Sequence, residues 1–80
     1  MLPVWVYSGK QVLYIYMDGN ERMMEVYDME GDASIFKGVQ PCDMDIRGMQ
    51  ELSGPWREEM NKRRRYRIQG IKKLGQPSLF

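Results

Sequence analysis

Gln11-Val12-Leu13-Tyr14-Ile15-Tyr16-Met17 is the stretch that decides the fold. It is a run of β-branched, aromatic and aliphatic residues bounded by turn formers, which is the composition of a strand. Leu13, Ile15 and Met17 alternate onto one face, and Val12, Tyr14 and Tyr16 onto the other. A strand with two apolar faces belongs in the centre of a sheet, or under cover on both sides.

The neighbouring segments extend this reading in both directions. Upstream, Val4-Trp5-Val6-Tyr7 reads as a strand joined through the turn Ser8-Gly9-Lys10. Downstream, Asp18-Gly19-Asn20-Glu21 has the residues that tolerate a tight hairpin loop. Arg22 to Asp28 then returns as a strand, with Met24 and Val26 on one face and Met23 and Tyr27 on the other. Glu30-Gly31-Asp32 turns again, and Ala33 to Val39 forms a fourth strand around Ile35 and Phe36. Strands this close in sequence pair as antiparallel neighbours. The expected class is α+β: a small antiparallel β-meander or half-barrel, SH3-like or OB-like in size, with one short helix.

Gln40 to Ser53 is the least regular stretch, punctuated by Pro41 and Gly48. Beyond it, Pro55 suits a first helical position, and Glu58 and Glu59 precede Lys62, Arg63 and Arg64 in the order a helix dipole favours. A short helix is expected from Pro55 to about Arg64. For residues 65–74 two readings compete. In a continued helix, Arg63, Arg64 and Arg67 interrupt the stripe between Met60 and Ile71; in a fifth strand, Tyr66 and Ile68 alternate with Arg65, Arg67 and Gln69. The strand is the preferred reading. Residues 1–75 are expected to form one β-rich domain, and residues 76–80 a peptide tail.

Composition narrows the function. A chain of 80 residues hides only about 60% of its unfolded surface, too thin a core for a deep enclosed site. Histidine is absent and there is one cysteine, Cys42. The usual general base, the Ser-His and Cys-His nucleophile pairs and the commonest metal ligand are therefore missing. No catalytic residue, metal site or cofactor is expected. The carboxylate pairs Asp43/Asp45 and Asp28/Glu30/Asp32 read as solvated loops. No apolar run approaches the length of a membrane span, and Met1-Leu2-Pro3-Val4-Trp5 lacks the features of a signal peptide. The single cysteine fits a reducing compartment, so the expected location is the cytoplasm of a bacterium or of a phage-infected one.

The net charge of +1 conceals a division. Residues 1–55 hold four Lys/Arg against nine Asp/Glu, and residues 56–80 hold eight against two. The basic part is densest in Lys62, Arg63, Arg64, Arg65, Tyr66 and Arg67, followed by Lys72 and Lys73. Guanidinium groups bind phosphate in bidentate fashion and tyrosine stacks on bases, so this segment is a candidate contact for DNA or RNA. The alternative is a solvated face partly paired with the acidic first part.

Gln76-Pro77-Ser78-Leu79-Phe80 carries two large apolar residues in a tail whose Gly75 and Pro77 disfavour helix and strand. Apolar side chains in such a tail suit an anchor for a partner, or packing back onto the core. The pentapeptide resembles the clamp-binding motif of bacterial replication and repair proteins, whose pattern is Gln, a variable or Leu position, Ser or Asp, Leu and Phe. Gln76, Ser78, Leu79 and Phe80 match, while Pro77 stands where Leu is frequent. Gln-x-x-Leu-Phe at one fixed place arises by chance on the order of once in several thousand chains of ordinary composition. The resemblance implies that Leu79 and Phe80 enter an apolar pocket on the DNA sliding clamp and that the Gln76 amide bonds to its rim. It covers the tail alone.

Three function classes follow. The first is a non-enzymatic module that docks on the clamp and recruits or blocks other factors. The second is a small β-barrel protein that binds nucleic acid through residues 62–73. The third is a phage or mobile-element inhibitor that binds a host protein through an acidic β face.

Overall fold

The computed structural model describes residues 1–75. They form strands β1 (Val4–Ser8), β2 (Gln11–Asp18), β3 (Glu21–Glu30) and β4 (Ala33–Pro41), then helix α1 (Gly54–Gly75). The strands make one antiparallel sheet in the order β1-β2-β3-β4. This is the α+β meander that the alternation of residues 4–39 implies.

Two-residue loops set the register. Gly19 opens the β2–β3 loop at φ 64°, and among the described residues no non-glycine has positive φ. Positive φ at the first loop position only is the type II′ pattern, whose twist matches the flanking strands. Gly9 and Gly31 begin the other two hairpins the same way. The resulting register sets Tyr14 opposite Glu25 and Leu13 opposite Val26. A bulge interrupts β3–β4 after Val26, where Lys37 is the extra residue beside Gly38 at φ 144°. A bulge and a lysine on an outer strand blunt edge-to-edge association.

Both faces of β2 are buried, as its two apolar faces require. On one face Val6, Leu13, Ile15, Met24, Val26 and Cys42 form a core, covered by Leu2, Met44, Ile46 and Met49. The irregular stretch before α1 is therefore a lid. It is tied down by Arg22, which donates from Nε to the Cys42 carbonyl at 3.0 Å and from Nη2 to the Met44 carbonyl at 2.6 Å. Its end closes the open edge of β1. Tyr7 N–H donates to the Gln50 carbonyl at 2.9 Å, and Leu52 N–H donates to the Trp5 carbonyl at 3.1 Å.

On the other face Trp5, Val12, Tyr27 and Leu52 surround Met60 of α1, which is wholly buried. Burying such a side chain contributes about 1.5–3 kcal/mol. Trp5 Nε1 donates to Asn61 Oδ1 at 2.7 Å and satisfies the indole beside it. The fold thus has three layers: lid, sheet and helix.

The helix differs from the sequence expectation. It runs unbroken from Gly54 to Gly75, so residues 65–74 are helical and there is no fifth strand among the described residues. Glu58 and Glu59 lie beyond the first turn, and Glu59 instead accepts from Arg63 at 2.8 Å, one turn on. The physical reason for the extension lies in the inward stripe. Met60, Arg64, Arg67 and Ile71 recur at helical spacing, and two of them are charged. An arginine does not break a buried stripe when an acid and aromatic rings wait for it on the sheet. No helix among the described residues is long and apolar enough to cross a membrane.

Candidate functional site

The acid is Glu25. It sits in β3 between Met24 and Val26, on the helix face of the sheet, and is 3% exposed. Arg64 forks onto it, with Nε donating to Oε1 and Nη2 to Oε2, each at 2.9 Å. Arg67 Nη2 lies 3.1 Å from Oε1. Tyr27, two residues on along the same face, donates its hydroxyl to Oε1 at 2.7 Å. Two guanidinium groups and one phenol thus converge on one buried carboxylate.

The guanidinium planes also rest on rings. Arg64 lies 4.2 Å from the centre of Tyr14 and 5.8 Å from that of Tyr16. Arg67 lies 3.8 Å from the centre of Phe36. Such contacts strengthen as water is excluded. Arg67 Nε is buried without an acceptor among the described residues, a cost that its other contacts must offset. Nearer the helix start, Arg63 bonds Glu59, donates to the Ser34 hydroxyl at 3.1 Å, and covers Trp56 at 5.1 Å.

Electrostatics fix the protonation. Burial pushes the Glu25 carboxyl up, but the bonds from Arg64 and Tyr27 and the charges of Arg64 and Arg67 outweigh it, and the net shift is downward. Tyr27 is pushed the other way, by burial first and then by its bond to Glu25. Both groups are thereby locked, Glu25 ionised and Tyr27 protonated. A carboxylate held in this way is a poor proton acceptor, so its chemistry is anchoring.

A pH dependence follows. Below about pH 4.5, the ordinary value for a glutamate, the unfolded chain takes up a proton at Glu25 that the folded chain refuses. The stabilisation from Glu25 is complete above that value and is lost as the pH falls through the lower folded value. The urea midpoint is expected to hold from pH 7 to pH 5 and to fall below pH 4.5. A midpoint that stays flat to pH 3 would contradict the ionised anchor. Glu59 and Asp45 are also shifted down, by Arg63 and Arg47 respectively, but both are solvent-screened and add little.

Beside this anchor an open groove of about 520 Å³ runs between α1 and β4. Tyr27, Phe36 and Tyr66 line it, with Arg63 and Arg67 on its wall. Among the described residues its lining holds no carboxylate, thiol or imidazole, and the Ser34 hydroxyl in it is bonded by Arg63. The groove offers apolar contact and positive charge, without a nucleophile–base pair.

The basic segment does not stay together. Arg63, Arg64 and Arg67 turn toward the sheet and are engaged within the chain. Lys62, Arg65 and Tyr66 are exposed, with Lys62 3.3 Å from Glu59. Lys72 and Lys73 lie in the last turns of α1. Gln76, Ser78, Leu79 and Phe80 lie outside the described residues. Among the described residues no group of three or more His, Cys, Asp or Glu side chains could hold a metal ion.

Glu25 is the residue that sequence reasoning missed. The signal was present: a lone charge inside Met23-Met24-Glu25-Val26-Tyr27, on the face of the strand that carries Tyr27. It acquires meaning only when paired with two arginines 39 and 42 positions away. Comparison with protein-family models, curated proteins and solved structures finds no match to this chain.

Proposed function

We propose that this protein is a non-enzymatic interaction module that docks on the bacterial DNA sliding clamp through Gln76, Ser78, Leu79 and Phe80. Docked there, it recruits or blocks replication and repair factors in the bacterial cytoplasm. The observation that carries this reading is the match of the pentapeptide to the clamp-binding pattern. Two features of the described residues support it. The motif begins one residue after the end of α1, so a folded domain stands directly before it in the chain. The groove beside the helix has the Tyr, Phe and Arg character of a contact surface and lacks catalytic groups.

Fluorescence-labelled protein titrated with purified bacterial clamp tests this. Saturable binding is expected, weakened about five- to tenfold by Gln76→Ala, the loss of roughly one hydrogen bond to the pocket rim. Absence of saturable binding by wild type would sink the reading. Binding to DNA alone, falling steeply with salt, would favour the nucleic-acid alternative.

A further inference from the structure

We infer that the outer edge of β4, from Ala33 to Phe36, takes up a short extended peptide of a partner protein as a fifth strand, whose side chains enter the groove beside α1. This site does not depend on the clamp reading. The two edges of the sheet differ. The edge of β1 is closed by the lid, through the bonds of Tyr7 to Gln50 and of Leu52 to Trp5. Among the described residues β4 pairs with β3 alone. Which of its backbone groups are free follows from the hairpin. Glu30 and Ala33 flank a two-residue loop and bond each other across it. Alternation along an antiparallel pair then turns the Ile35 backbone toward β3 and the Ser34 and Phe36 backbones outward. Met29, opposite Ser34, obeys the same alternation: its N–H donates away from β4, to the Lys10 carbonyl at 3.2 Å.

Ser34 and Phe36 also line the groove, with Tyr66, Arg63 and Arg67 along the helix side. A strand added to this edge places the residues opposite Ser34 and Phe36 on the same face, so their side chains enter the groove while their backbones bond the edge. The occupant's chemistry follows. Outward N–H and C=O groups in extended order select a β-strand. Phe36 and the 64%-exposed Tyr66 select an apolar side chain opposite Phe36. Opposite Ser34, where Arg63 already reaches the hydroxyl, an acidic side chain complements the guanidinium groups. Glu59 and Glu25 partly neutralise those arginines, so the apolar residue contributes more than the acid. The bulge at Lys37 ends the regular edge after Phe36. Four residues are short for edge-to-edge pairing of two copies, and long enough for a peptide.

The probe is the capped peptide Thr-Phe-Thr-Glu-Thr, which in antiparallel register sets Phe opposite Phe36 and Glu opposite Ser34. Saturable binding to the full chain is expected below about 1 mM, with slowed amide exchange at Ser34 and Phe36. N-methylation of the probe's Phe and Glu, whose N–H groups face the edge, is expected to weaken binding at least tenfold. N-methylation of its central Thr, whose N–H faces away, is expected to change it less than threefold. On the protein, Tyr66→Ala and Ser34→Pro are each expected to weaken binding about three- to tenfold. Proline is tolerated where an edge N–H faces solvent, and Tyr66 is exposed, so far-UV circular dichroism should match wild type in both. Val39→Ala, beyond the bulge, is expected to change affinity less than twofold. No binding up to about 1 mM, or equal binding by the probe methylated at Phe and Glu, would overturn the site. A concentration-dependent dimer of the free protein that Ser34→Pro disrupts would overturn the peptide as occupant and assign the edge to a second copy.

Discussion

Glu25→Ala is expected to remove most of the domain's stability at 25 °C while the majority of chains stay folded. The carboxylate is buried and receives Arg64, Arg67 and Tyr27 together. Removing one side of a buried ion pair strands the other, at about 3–5 kcal/mol. Arg64 and Arg67 keep some access to water, which places the loss toward the lower end. A domain of this size has a thin core, and its stability belongs near the bottom of the usual range of about 5–15 kcal/mol. A loss near 3 kcal/mol therefore removes most of the margin. Urea unfolding followed by circular dichroism measures it. Glu58→Ala, an exposed acid on α1, should change stability by less than about 0.5 kcal/mol. Replacing the set together, with Glu25→Leu, Arg64→Met and Arg67→Met, should recover most of the loss, because apolar groups on Tyr14, Tyr27 and Phe36 leave no stranded charge. Wild-type stability in Glu25→Ala would show that the helix is held by Met60 and Trp56 without the anchor.

Changing Leu79 and Phe80 together to alanine is expected to weaken clamp binding at least a hundredfold while leaving the fold intact. Full burial of each side chain contributes about 1.5–3 kcal/mol, so the pair accounts for about 3–6 kcal/mol, or two to four decades in Kd. Pro77 already restricts the free tail and lowers the ordering cost of binding, so little else compensates for the loss. The domain has its own core on both sheet faces without these residues. The urea midpoint of the double variant should therefore match wild type. A large fall in midpoint would show instead that the tail packs on the domain and stabilises it. The two experiments thus separate stability from docking: Glu25→Ala acts on the first, the tail variant on the second.

The sheet was legible because its signals are local. Alternation in Gln11 to Met17 and two-residue glycine loops fix strands, register and order within a few residues of each other. The helix was half legible. Pro55 and the acid-then-base order mark its start, but its length depends on Glu25, 39 positions before Arg64. Read alone, Arg64 and Arg67 break an apolar stripe; against a buried acid they complete it. The same distance effect reshaped the basic segment. A run of arginines in sequence reads as one phosphate-binding strip, while helical geometry sends Arg63, Arg64 and Arg67 inward and leaves Lys62 and Arg65 outside. The resemblance of the tail to the clamp-binding pattern rests on Gln76, Ser78, Leu79 and Phe80 in sequence alone, and those residues lie outside the described ones.

The measurement that tests docking through the tail most directly is displacement. Full-length protein is bound to purified clamp, and a synthetic Gln-Pro-Ser-Leu-Phe peptide is added in rising excess. Release of the protein from the clamp, complete at saturating peptide, is the predicted result. A complex that persists while the peptide fills the clamp pocket would contradict it.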